Sequence, residues 1–160
     1  MRTPTMTVEI REAALCVVRR DGTFLVAEIV DPRTGIVLHR PPGGGLEVDE
    51  TPAQALCREL REELGLHADH LTPLGSIQHV WYWEGREVRE RAWIFEVDAA
   101  ADPRLDAGDT PVLLEANGAQ IKTVWRPLQP TDDSLPPLCP ESLTELLADS
   151  AAHPCDNSPQ

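Results

Sequence analysis

The segment from Thr51 to Gly65 carries its own start and stop signals, and these constrain the fold more than any other stretch of the chain. Thr51 offers a side-chain oxygen to the first free amides, Pro52 presets the backbone at the first helical position, and Gln54 can reach back to the cap. Gly65 ends the helix. At 100° per residue, Ala53, Leu56, Cys57, Leu60 and Leu64 share one apolar arc roughly 100° wide. An arc that narrow buries one side of the helix against a flat partner and leaves the rest facing outward.

The segments around it supply that partner. Ala13 to Arg19 is apolar and β-branched, and Asp21-Gly22 turns it into a second strand, Thr23 to Val30. Asp31 to Gly35 breaks the chain, and Ile36 to His39 forms a short strand leading into Pro41-Pro42-Gly43-Gly44-Gly45. Thr72-Pro73 marks another break. Leu74 to Trp83, a Glu84-Gly85 turn and Glu87 to Val97 form a second hairpin. Ala99 to Gly118 is small, acidic and turn-rich, and is expected to be a long loop. Ala119 to Trp125 is expected to be one strand, Thr131 to Pro140 a proline-rich connection, and Glu141 to Ala148 a helix on Leu143, Leu146 and Leu147. The order predicts a mixed α/β fold with a single domain over residues 1–149 and a disordered tail over 150–160.

The chain has 14 basic and 27 acidic side chains and a net charge of -13, which disfavours nucleic acid and anionic membrane surfaces as partners. The amino-terminal residues lack the apolar run of a secretory signal, and no stretch reaches the ~20 apolar residues of a membrane span. The expected location is cytoplasmic. Cys16, Cys57, Cys139 and Cys155 show no CxxC pairing and are expected to be reduced and structural.

The helix also crowds like charges. Glu59 and Glu63 are four apart and repel by roughly 0.2–0.5 kcal/mol, with Glu62 within another ~60–80° around the axis. A solvated stabilising face would place Lys or Arg opposite each of them, as Arg58 stands to Glu62, but Glu59 and Glu63 have none. The three carboxylates border the buried arc and are fed by a glycine-rich approach and by Glu47 and Glu50. Hard divalent cations such as Mg²⁺ take oxygen ligands of this kind, and their charge cancels the repulsion.

Gly44, Glu50 and the run Arg58-Glu59-Leu60-Arg61-Glu62-Glu63-Leu64-Gly65-Leu66 resemble the signature of the Nudix hydrolases, G-x5-E-x7-R-E-U-x-E-E-x-G-U with U aliphatic. All nine specified positions match, at a chance on the order of 10⁻⁹ per starting position. Asp49 departs softly, because a glycine commonly precedes the first Glu. The resemblance implies an α/β/α sandwich with a mixed sheet. It also implies hydrolysis of a nucleoside diphosphate linked to another moiety, such as a nucleotide sugar, dinucleoside polyphosphate or (d)NTP, by metal-activated water. Mg²⁺ is the implied cofactor, with Mn²⁺ as a substitute.

By the same resemblance Glu59, Glu62 and Glu63 are the metal set, with a backbone carbonyl of Gly44. Glu62 and Glu59 are candidate bases, and Arg58 with Glu50 is an orienting ion pair. Glu115 and Glu90 are candidate distal acids, each otherwise an ordinary solvated acid. Arg40 is a candidate phosphate contact or a structural hydrogen-bond donor. Trp81, Tyr82, Trp83 and Trp93 cluster on the second hairpin as core, dimer contact or base-stacking residues. Tyr82 lies sixteen positions beyond Leu66, where family members acting on dinucleoside polyphosphates tend to carry a tyrosine. The proline of ADP-ribose-specific members is absent. His67 and His70 follow Gly65 and are assigned to a loop. A small nucleotide-type substrate and a homodimer are the partners the resemblance suggests. The alternative is a catalytically silent Nudix-fold binding or regulatory module.

Overall fold

The computed structural model describes residues 9–98, 105, 110–130 and 133–152. The first hairpin forms as its turn chemistry dictates: β1 (Arg11–Arg20) and β2 (Thr23–Val30) are joined by Asp21 and Gly22, both at positive φ. Only Arg19 and Arg20 pair across that turn. Further down, β1 leaves β2 and runs parallel to β6 (Arg86–Val97), from Arg11 opposite Glu90 to Val18 opposite Val97. Its other edge takes β4 (Gly43–Gly45), antiparallel, with Ala14 opposite Gly44. The sheet reads β3-β2-β1-β6-β5, where β3 is Val37–Arg40 and β5 is Leu71–Trp83, and β9 (Thr123–Pro127) adds to β2.

Residues of opposite parity on β1 face two different cores. Ala14, Cys16 and Val18 pack with Ala55, Leu56 and Leu60 of α1 (Pro52–Leu64). Leu15 and Val17 pack with Leu143 and Leu147 of α2 (Leu143–Ala152). The result is the expected mixed sheet between two helices. Leu56 and Leu60 are fully buried and stabilise the α1 interface by ~2–3 kcal/mol each.

Four details depart from the sequence reading. The Thr72-Pro73 break is absent: β5 runs through it with a bulge between Pro73 and Gly75, which an edge strand tolerates because the missing amide faces no neighbour. The 99–118 segment, described in part, holds a two-residue strand, β7 (Leu113–Leu114), paired with β8 (Gln120–Ile121). The signal for it is Asn117-Gly118, a hairpin dipeptide between short apolar pairs. The single strand expected at 119–125 is therefore two, β8 and β9, in different sheets. The helix expected at 141–148 begins at Leu143 and runs on to Ala152. The disordered tail expected over 150–160 is helical through Ala152, and residues 153–160 lie outside the described residues.

One contact ties two distant turns. Asp31, 4 % exposed, accepts the backbone amides of Arg33 and Thr34 on Oδ1 and that of Glu84 on Oδ2 at 2.9 Å. Arg33 Nη1 returns a bond to the Glu84 carbonyl at 3.1 Å. The β2–β3 loop is thus fastened to the tip of the β5–β6 hairpin. No helix among the described residues is long and apolar enough to cross a membrane.

Candidate active site

The helix is positioned by the residues that announce it. Thr51 Oγ1 accepts the Gln54 amide at 3.2 Å and Gln54 Oε1 accepts the Thr51 amide at 3.0 Å, while Gly65 at φ 63 takes the left-handed end. Leu56 and Leu60 then set the rotation about the axis. Ala55 is also fully buried, although it lies outside the expected arc and on the carboxylate side, because β4 closes over the first turn of the helix. Beyond that turn Glu59, Glu62 and Glu63 are free to line a cleft of about 770 Å³ with Glu47 and Arg58. Its far wall is Leu114, Glu115 and Asn117 from the β7–β8 turn.

Gly44 meets the helix at Glu59. A Cβ at residue 44 would lie 2.5 Å from Glu59 Oε1, so any larger residue there would push the Glu59 carboxylate aside. Gly43 is tighter still, at φ +143 against the Ala14 carbonyl. Asp49, where a glycine is common in the motif, stands at φ 64. This is a left-handed position that Asp tolerates better than most residues.

Arg58 binds the loop to the helix. Its Nε and Nη2 hold both oxygens of Glu50 at 2.8 and 2.9 Å, Nη2 also reaches the Gly45 carbonyl at 3.0 Å, and Nη1 meets Glu59 at 3.0 Å and Glu62 at 3.4 Å. Those bonds hold the Glu50 carboxyl down at about 2, with the amide of Glu47 helping. Glu63 is displaced the other way. Burial, then the charges of Glu59 and Glu115, push its carboxyl up to about 8. Glu115 therefore belongs electrostatically to the helix carboxylates although it comes from a separate turn 52 positions on.

The other candidates lie elsewhere. Glu90, expected as a distal or solvated acid, is 1 % exposed and accepts Arg40 Nη2 at 2.7 Å and bonds the His79 ring at 3.0 Å. Burial would raise its carboxyl, but His79 and Arg40 outweigh that and hold it below the usual range. Glu90 does not line the carboxylate cleft, because residue 90 points to the α2 side of the sheet like Ala92 and Ile94. Arg40 is buried in the same network, its guanidinium 5.1 Å from the centroid of Trp81 and donating to Cys139 Sγ at 3.6 Å. Its geometry is that of the structural donor.

Tyr82 is 66 % exposed and lines a separate cavity of about 610 Å³ with His79, Trp81 and Cys139, sharing no lining residue with the cleft. His67 and His70 are exposed in the loop after α1. The sequence reading missed Asn117 and the Asp31 fastening. Asn117-Gly118 was the available signal for the first, and the second had none.

Among the described residues no three carboxylate, imidazole or thiolate groups converge closely enough to chelate a cation as they stand. Arg58 Nη1 holds Glu59 at 3.0 Å and Glu62 at 3.4 Å. The donor set nonetheless suits a hard divalent cation. It is all oxygen, it shares one helix, and it contains a carboxyl raised first by burial and then by the charges of Glu59 and Glu115.

A family model described as the NUDIX domain matches residues 9–135. The chain belongs to the Nudix family. Among its relatives, the CTP pyrophosphohydrolase of Escherichia coli K12 is 37 % identical over 82 residues, 51 % of this chain and 59 % of that protein. The 8-oxo-dGTP diphosphatase of Proteus vulgaris is 53 % identical over 38 residues, 24 % of this chain and 34 % of its own. The Nudix chain thus spans under two thirds of the length of either relative. The solution structure of the E. coli ORF135 protein superposes with a TM-score of 0.60 at 28 % identity, covering 96 % of this chain and all of that one.

Proposed function

We propose that this Nudix protein is a Mg²⁺-dependent pyrophosphohydrolase that cleaves a nucleoside diphosphate linked to a second moiety, with water as nucleophile. The observation that carries this reading is the stripe Glu59, Glu62 and Glu63 facing Glu115 across one cleft, braced from behind by the Arg58–Glu50 pair. The names of the relatives, a CTP pyrophosphohydrolase and an 8-oxo-dGTP diphosphatase, support the same reaction class.

Our reading of the roles rests on this cleft and its bracing. Glu59, Glu62 and Glu63, with the Gly44 carbonyl, would hold the cation. When bound, Mg²⁺ supplies positive charge to the phosphoryl oxygens and acidifies water. Glu50 and Arg58 would keep β4 and α1 in register, with Arg58 also at the edge of the cleft. Glu115 stands across from the metal set, on a turn held by the Glu115 amide to the Ala119 carbonyl and the Gly118 amide to the Glu115 carbonyl, both at 2.9 Å. That placement suits it to accept a proton from the attacking water, with Glu62, 57 % exposed at its side chain, as the alternative acceptor. A chain of net charge -13 repels a bare diphosphate, so seating the diphosphate against Glu59, Glu62 and Glu63 is expected to require the cation.

The test is turnover of a mixed panel of nucleotide sugars, dinucleoside polyphosphates, (d)NTPs and ADP-ribose with Mg²⁺ or Mn²⁺ at alkaline pH. Metal-dependent release of a nucleoside monophosphate is the expected outcome. Absence of turnover on every member would replace this reading with the silent Nudix-fold module.

A further inference from the structure

A second cavity lies beside the carboxylate cleft, on the other side of Glu115. The turn that presents Glu115 and Asn117 is a wall common to both. The second cavity measures about 610 Å³ and is lined on its apolar side by Val30, Val37, Ile121 and Trp83. Trp83 is fixed there from two directions. Its neighbour Glu84 is fastened to Asp31, and its ring rests 5.6 Å from that of Trp81 at a 48° tilt.

The cations decide what this cavity suits. Arg58 and Lys122 are the positively charged residues lining the cleft and the cavity. Arg58 is consumed by Glu50, Glu59, Glu62 and the Gly45 carbonyl. Lys122 is the only lysine in the chain. Its side chain is 71 % exposed and pairs with Glu28 at a loose 3.6 Å. One exposed ammonium among Glu28, Glu84 and Glu115 does not make a pocket for a run of phosphates, which those carboxylates repel. It fits a flat neutral ring on Trp83 with a single phosphate at its mouth. The amides of Asn117 and Gln120 are at hand for the ring's polar edge.

We propose that this cavity binds the organic group at the Glu115 end of the diphosphate, a nucleoside or similarly flat ring, with Trp83 against the ring and Lys122 against its nearest phosphate. The proposal rests on the pyrophosphohydrolase reading for the identity of the diphosphate, but its test does not require turnover.

Binding of AMP, CMP, GMP and UMP is measured by calorimetry in EDTA, on wild type, Trp83→Ala, Trp83→Phe, Lys122→Ala and Glu63→Gln, with circular dichroism to check folding. Wild type is expected to bind at least one of them. Trp83→Ala weakens that binding ~5- to 150-fold and Trp83→Phe restores most of it, while Lys122→Ala weakens it about two- to fivefold. In parallel, the periodate-oxidised dialdehyde of the bound monophosphate, trapped with borohydride, is expected to label Lys122 and to be competed off by the unoxidised monophosphate.

No binding by wild type, affinities indifferent to both Trp83 and Lys122, or labelling confined to the amino terminus would overturn the proposal. The two readings separate cleanly. An enzyme that turns over nucleotides with Trp83 and Lys122 irrelevant keeps the hydrolase and loses this pocket. A protein without turnover whose monophosphate binding depends on both residues keeps the pocket and loses the hydrolase.

Discussion

Glu63→Gln removes a charge that the folded protein holds at a disadvantage. The Glu63 carboxyl is raised to about 8 from an ordinary 4.5 by burial and by Glu59 and Glu115. A folded value above the unfolded one means that this group favours folding fully below pH 4.5, and that the advantage is lost as pH rises toward 8. At pH 7 the ceiling on the loss is about 3 kcal/mol, and solvent screening of this partly exposed side chain brings it to roughly 1–2 kcal/mol. Glutamine is nearly isosteric and neutral, so in EDTA the variant is expected to melt about 3–6 °C above wild type at pH 8.

At pH 4.5 the two should melt together, because both are then uncharged at residue 63. Mg²⁺ should reverse the order, stabilising wild type and leaving Glu63→Gln nearly unmoved, with metal-dependent hydrolysis lost in the variant. Thermal unfolding from pH 4.5 to 8.5, with EDTA and with Mg²⁺, measures all of this. A variant no more stable than wild type at pH 8 without metal would refute the electrostatic account. Normal turnover by the variant would remove Glu63 from the metal set.

Gly44→Ala places a methyl 2.5 Å from Glu59 Oε1 and should lower kcat/KM by about 100-fold, since a displacement near 1 Å at a positioned group has that effect, with the fold retained by circular dichroism. Arg58→Lys loses the two-point grip on Glu50 and the bond to the Gly45 carbonyl. Limited proteolysis should then cut between Gly45 and Thr51 faster than in wild type. Glu90→Gln leaves Arg40 buried without its counter-charge and should destabilise by about 3 kcal/mol in denaturant unfolding. Because Glu90 titrates below its ordinary value in the fold, wild type and Glu90→Gln should draw together as pH falls below 4.5.

Much of the site could be read from the chain because the helix is self-contained. Thr51, Gln54, Gly65 and the leucine spacing are local signals, and they alone fix where Glu59, Glu62 and Glu63 point. Glu115 was legible only as one candidate beside Glu90, and nothing local separates the two. Glu90 lies between Arg89 and Arg91 and Glu115 between Leu114 and Ala116, and neither setting names a role. What separates them is tertiary: residue 90 sits opposite Arg11 in a parallel pairing, which turns it into a buried network, while residue 115 rides a two-strand turn up to the helix. Arg40 was ambiguous for the same reason, since its partners come from β5 and β6. The break expected at Pro73 failed because local propensity does not reveal that β5 is an edge.

The Asp31 carboxylate accepts amides from two turns that lie 53 residues apart in sequence. It therefore works as a mechanical coupling. The β2–β3 loop and the β5–β6 tip are expected to move together as one jaw, and the amides of Arg33, Thr34 and Glu84 should exchange with deuterium at a common rate. That jaw separates the cavity of Trp81 and Tyr82 from the cavity of Trp83 and Lys122. An insertion in either turn would cut the hinge and merge two compartments that the molecule keeps distinct.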